Sequence, residues 1–182
     1  MSASAPDLAA GTLLVASPLL QDPNFYKTVV FLLQHDVEGA VGVVLNRPTN
    51  ESVETHLPEW AMRLEDPQVI FLGGPVDPAV AIGVVRSDRP GDPTALGGVG
   101  MVDLANDPVA TTPGPVRVFS GYSGWGPGQV EAEIAEGAWI VVEASADDIF
   151  TREPDGLWVS VLRRQGGSVA MLATFPVDPS MN

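Results

Sequence analysis

The sequence predicts an α+β domain built on a mixed sheet, and three observations predict it. Short runs of Val, Ile and Leu, bounded by Gly, Pro, Asn or Asp, recur along the chain as strands require. Several of these runs are apolar at consecutive positions rather than alternating. That pattern marks strands buried on both faces and calls for helices as cover. The 19 glycines and 17 prolines break helices too often for a helix bundle or coiled coil.

Taken in order, residues 1–10 (MSASAPDLAA) read as a flexible leader. Residues 11–182 read as one domain, the expected number for a chain of 182 residues. Strands are expected over 12–17, 28–34 and 40–45. Val53, Leu57, Trp60, Ala61 and Leu64 then share a helical face, with a break or a second start at Pro58. Strands follow at 69–72, 80–86 and 116–119. Residues 127–136 form the clearest helix: Pro127 sits near its start, Val130 and Ile134 share a face, and Gly137 stops it. A strand at 138–143 precedes a helix start at Asp147 and Asp148, capped by Ser145. Leu157, Trp158, Val161 and Leu162 make a third apolar face ended by Gly166 and Gly167. A last strand is expected over 169–174. The segment AVGVV at 40–44 is echoed by AIGVV at 81–85, and Arg-Pro follows each, as Arg47-Pro48 and Arg89-Pro90. Two short copies fall short of a repeat architecture.

Charge excludes some functions. Nine Lys and Arg face 23 Asp and Glu, for a net charge of −14. Gripping DNA takes several cations on phosphates, and no predicted helix carries a basic stripe. With no cysteine, disulfides, thiolate nucleophiles and thiolate zinc sites are impossible within the chain. No positive n-region precedes an apolar stretch before Lys27, so a cytoplasmic protein is expected. No apolar run approaches the roughly 20 residues of a membrane span, and no membrane contact is expected. Two isolated histidines predict no metal site. Neither Walker A nor G-x-G-x-x-G is matched, and no cofactor is expected.

The densest motif is FSGYSGWGPGQ at 119–129, joining a strand to a helix. Its glycines permit positive φ and close backbone approach. It reads either as a tight turn seating Tyr122 and Trp125 in the core, or as the lining of a ligand site. A helix N-terminus can hold an anion. Here, however, Pro127 removes a donor, Glu131 and Glu133 sit in the first turns, and no Lys or Arg lies between Val118 and Thr151. Ser123 fails as an elbow nucleophile because Trp125 stands where glycine is needed. Its only possible histidine bases are His35, at an expected hairpin turn, and His56, on a surface helix. No catalytic residue is assigned, and an enzyme is not indicated. Arg47, in Asn46-Arg47-Pro48 at a strand end, offers a planar fork to a carboxylate or phosphate, or pairs with one of the chain's own carboxylates. Gly73-Gly74-Pro75 ends another strand in a turn needing positive φ. Pockets form at such strand ends.

Together these segments resemble the AlgH/YqgE family of bacterial proteins. The likeness is carried by GTLLVASP at 11–18, Asp22 to Phe25 with 28–33, GVVLNRP at 42–48 and GGPV at 73–76. It continues through FSGYSGWGPGQVEAE at 119–133, Trp139, Trp158 and the terminal DPSMN at 178–182. It covers 11–182 and is weakest over 91–112; Val130 stands where Leu is commoner. The resemblance implies a single α+β domain with a mixed, partly barrel-like β-sheet flanked by a few helices, and no catalytic residue. It also implies the label of transcriptional regulator, one member's name being tied to alginate regulation. By analogy Asn46, Arg47, Gly73, Gly74, Gly121, Tyr122, Trp125, Gly128 and Gln129 are the candidate ligand-binding residues, with Gly124 as a further motif position. The expectation is a regulatory protein that binds a protein partner or a small anionic ligand. Direct DNA binding and an undescribed hydrolase are the alternatives. Arg47 and Trp125 are expected to line one shared hollow.

Overall fold

In β1 (Thr12–Ala16), Leu13, Leu14, Val15 and Ala16 are all completely buried. Alternate side chains of a strand point to opposite faces, so this run needs cover on both sides and has it. Leu13 and Val15 enter one core with Phe31, Phe71, Phe119, Trp158 and Leu162. Leu14 and Ala16 enter a second core with Val30, Leu32, Trp125, Val130 and Trp139. The same alternation runs through β2 (Val29–Asp36) and β3 (Gly39–Val44).

A computed structural model of the chain describes residues 5–87, 96–108 and 114–175. The first four leader residues, Arg89-Pro90, residues 91–95 and 109–112, and the terminal 178–182 motif lie outside the described residues. The remaining strands are β4 (Pro48–Ser52), β5 (Val69–Leu72), β6 (Val76–Arg86), β7 (Val99–Val102), β8 (Val116–Trp125) and β9 (Trp139–Glu143). They form one mixed sheet in the order β4-β5-β8-β3-β2-β1-β9, with β6 pairing both β8 and β7. β5 runs parallel to β8 and the other pairs are antiparallel. The sheet is not closed into a barrel. Both segments of the Ala-x-Gly-Val-Val echo become strands antiparallel to β8.

Helices are short. α1 (Val53–His56) stops before a 3₁₀ turn at Pro58–Arg63, the break expected at Pro58. α2 (Gln129–Ala135) follows Gly128. α3 (Ala146–Ile149) opens on a cap in which the Asp148 carboxylate accepts the Ser145 N–H at 2.8 Å and the Ser145 hydroxyl oxygen accepts the Asp147 N–H at 3.3 Å. α4 (Leu157–Gln165) lays Leu157, Trp158, Val161 and Leu162 on the first core. Among the described residues no helix is long and apolar enough to cross a membrane.

Three expectations need correction. Residues 169–174 are helical, as α5 (Gly167–Met171) and a 3₁₀ turn at Leu172–Thr174. Val169, Leu172 and Ala173 meet the first core at helical spacing, a period hidden by their β-branched and small neighbours. β4 and β7 were not foreseen. β4 is polar (PTNES) and among the described residues pairs only with β5, which makes it an edge strand, where proline is tolerated. Finally, β8 does not turn after Phe119. It runs on to Trp125 because β3 and β6 supply partners for its glycine-rich half.

Candidate functional site

The loop 22–28 (DPNFYKT) is the hub of the candidate residues. Asp22 organises it: its carboxylate accepts the Asn24 N–H at 2.8 Å, and its carbonyl accepts the N–H groups of Phe25 and Tyr26. Asn46 and Arg47, leaving β3, clamp this loop. The Asn46 side chain accepts the Val29 N–H at 2.9 Å and donates to the Lys27 carbonyl at 2.9 Å. Arg47 Nη2 donates to the carbonyls of Pro23 at 2.9 Å and Tyr26 at 3.3 Å. Loss of hydration lowers the Arg47 pKa from its ordinary value, and the charge of Asp22 partly offsets this. Lys27 holds a left-handed backbone, φ 51°. Its ammonium donates to the Phe175 carbonyl at 3.0 Å and sits 4.8 Å above the Trp158 ring.

Opposite this loop stands the turn after β5. The Gly73 N–H donates to the Ser120 carbonyl, and its own carbonyl accepts from the Val44 N–H. At Gly74 a Cβ would fall 2.2 Å from the Tyr122 carbonyl group, so only glycine lets the two backbones meet. Gly121 is at φ 68°, and a Cβ there would lie 2.8 Å from the carbonyl oxygens of Gly74 and Val76. The register of β6 on β8 jumps from Val76 opposite Tyr122 to Ala81 opposite Ser120, so residues 77–80 bulge outward. The Ser120 hydroxyl donates to the Pro78 carbonyl, and the Tyr122 hydroxyl donates to Asp77 at 3.4 Å. Asp77 adopts φ 43°. Loop and bulge enclose a cleft of about 90 Å³ lined by Asn24, Val44, Arg47, Leu72, Gly74, Pro75 and Pro78.

Trp125, Gly128 and Gln129 lie elsewhere. Glu133 Oε2 accepts the indole N–H groups of Trp125 at 2.9 Å and Trp139 at 2.8 Å. Gln129 donates to the other Glu133 oxygen at 3.0 Å and accepts the Gly126 N–H. Phe25 completes the cluster, with ring centroids 6.0 Å from Trp125 and 5.5 Å from Trp139. Trp125 lines a separate shallow hollow with residues 38–41. The expected shared hollow is therefore replaced by two sites that grip one loop, Arg47 by its carbonyls and Trp125 by Phe25. Asn46, Arg47, Gly73, Gly74, Gly121 and Tyr122 fall on the first side. The sequence shows Glu133 only as a negative charge near the helix start, and its bonds to both indoles were not foreseen, although its place four residues after Gln129 puts both on one helix face.

Other polar groups are committed locally. The Ser123 hydroxyl is buried and donates to the Gly73 carbonyl at 3.1 Å, while His35 and His56 bond Glu131 and Glu51. No cluster with the ligand count for a metal ion occurs among the described residues. Sequence reasoning also missed Arg117, which is 2% exposed. Its guanidinium donates to the carbonyls of Ile149, Thr151 and Asp66 and lies 4.6 Å from the Phe71 ring. Burial lowers its pKa to about 10, against the raising effect of Glu65 and Asp66.

A family model described as AlgH-like matches residues 13–170. A UPF0301 protein of Streptomyces coelicolor is 50% identical, with 94% of each chain covered. A UPF0301 protein of Thermobifida fusca is 46% identical at the same coverage. A crystal structure of a Corynebacterium diphtheriae protein superposes with a TM-score of 0.87 at 29% identity, covering 94% of this chain and 95% of that one. The solution structure of the AlgH protein from Pseudomonas aeruginosa superposes with a TM-score of 0.66 at 27% identity, covering 98% and 100%.

Proposed function

The chain belongs to the AlgH-like family, and from that premise we propose that it is a regulatory binding protein that captures an anionic group in the Arg47 cleft. One observation carries the reading. The two non-glycine residues with left-handed backbone among the described residues, Lys27 and Asp77, sit in the two segments that wall this cleft. Such backbone costs about 1–3 kcal/mol per residue and gathers where a surface must keep a set shape. Arg47 supplies the recognition. Its Nη2 is tethered to backbone carbonyls, so the fork is held in place before any ligand arrives, and partial loss of water strengthens its pull on a negative group. The lack of cysteine supports a cytoplasmic setting. The net charge of −14 weighs against DNA as the ligand.

The test is a titration of the isotope-labelled chain with sodium acetate and with inorganic phosphate, followed by NMR. Saturable shifts at Gly74 and the Arg47 side chain, lost in Arg47→Ala, are expected. Shifts confined to other regions, or surviving in Arg47→Ala, overturn the reading.

A further inference from the structure

We propose that the natural occupant of the Arg47 cleft is a single Asp or Glu side chain on an extended segment of another protein, flanked in that segment by apolar residues. This rests on the cleft being the binding site. Three features point to a side chain rather than a free metabolite. The cavity of about 90 Å³ is well below the roughly 300–1,000 Å³ of pockets that enclose small molecules. Arg47 has no carboxylate within 4.0 Å among the described residues, and Asp22 acts on it only from farther off, so its fork is open to one from outside. The cleft also has an apolar rim. Leu72, 38% exposed, and the solvent-facing Pro75 and Pro78 line it, and Val80, 44% exposed, follows Pro78 in the same bulge. A ligand small enough for the cleft leaves this rim uncovered, whereas the residues before and after a seated carboxylate land on it. The chain's charge of −14 repels a second copy and any polyacidic partner, which limits the segment to one carboxylate.

The bulge makes the rim a built surface. The bonds from Ser120 to Pro78 and from Tyr122 to Asp77 hold residues 77–80 outward over Gly121. The rim is therefore fixed before binding, which reduces the entropy lost on association.

The test pans a phage-displayed library of random heptapeptides on the full chain, with counter-selection on Val80→Asp. That exposed substitution sets a negative charge on the rim without touching the core. Enriched peptides are expected to carry one acidic residue between aliphatic or aromatic ones. Replacing that residue by its amide is expected to weaken binding by more than about tenfold. Leu72→Ser is expected to weaken it several-fold while the melting temperature holds. Acetate, as an isolated mimic of the side chain, should compete at far higher concentration than the peptide. Failure to enrich such peptides while acetate still saturates the cleft overturns this inference alone. Loss of acetate binding as well overturns the cleft reading beneath it. A dimer of the chain that Val80→Asp dissociates replaces the foreign segment with a second copy and also overturns it.

Discussion

Arg47 and Arg117 are both held by backbone carbonyls rather than by carboxylates, yet they do opposite work. Arg117 is sealed. Three carbonyls from two distant segments converge on it, Phe71 and Phe150 flank it, and its Nε has no partner among the described residues. Arg47 is half open, tethered through one nitrogen and facing a cleft. A buried guanidinium bound to carbonyls fastens the chain, and a tethered but accessible one presents a charge. The difference lies in how much solvent each retains, not in residue type.

The sharpest way to break the comparison is to remove Arg117. Arg117→Met leaves three carbonyls without their donor, and a loss of about 3 kcal/mol or more is expected in urea unfolding. That corresponds to a fall in Tm of about 6–12 °C for a chain of this size. A loss below 1 kcal/mol would make Arg117 a passive core residue.

Glu133→Ala ranks next. It strips the acceptor from two indole N–H groups, at an expected cost of about 2 kcal/mol. Near-ultraviolet circular dichroism should show the loss of order around Trp125 and Trp139. Binding at the Arg47 cleft should change less than stability, because Glu133 reaches that side only through Phe25.

Arg47→Ala sharpens the comparison from the other side. It removes two hydrogen bonds at a partly exposed site, for about 1 kcal/mol of stability. Acetate binding should vanish. Arg117→Met and Arg47→Ala thus exchange their ranks between the stability and binding measurements.

The smallest effect concerns acid. His35 bonds Glu131 at 2.6 Å and holds its carboxyl below the ordinary 4.5. A carboxylate with a depressed folded pKa contributes stability above its unfolded value, and that contribution is lost as pH falls through the folded one. Glu131→Gln should therefore flatten the pH dependence of Tm only below about pH 4.5. An equal change at pH 7 and pH 3 would show that the pair has no ionic character.

Much of this was legible from local chemistry. The consecutive apolar residues of β1 to β3 announced strands covered on both faces. Pro58 announced a broken helix, Ser145 a helix cap, and Gly137 and Gly166 the ends of α2 and α4. Each signal acts within a few residues, through sterics, a cap or a period. β4 carried no such signal, because PTNES is a strand only by virtue of its neighbour β5. Residues 169–174 carried a misleading one, because short apolar runs fit either period. The arrangement of the candidate residues was not legible: Arg47 and Gly74 line one cleft, while Trp125 and Gln129 bond Glu133.

The sequence by itself determined the class of fold, the lack of thiol chemistry, the acidic surface and the positions where backbone must turn or approach closely. The tertiary structure alone decided that β5 lies parallel to β8 and that the 22–28 loop is gripped from both ends. It alone decided that one arginine is sealed and another open. The reason is range. Sterics and hydrogen-bonding preference act between neighbours along the chain, whereas the solvation of a charge depends on which distant segments close over it, and only the packed sheet sets that.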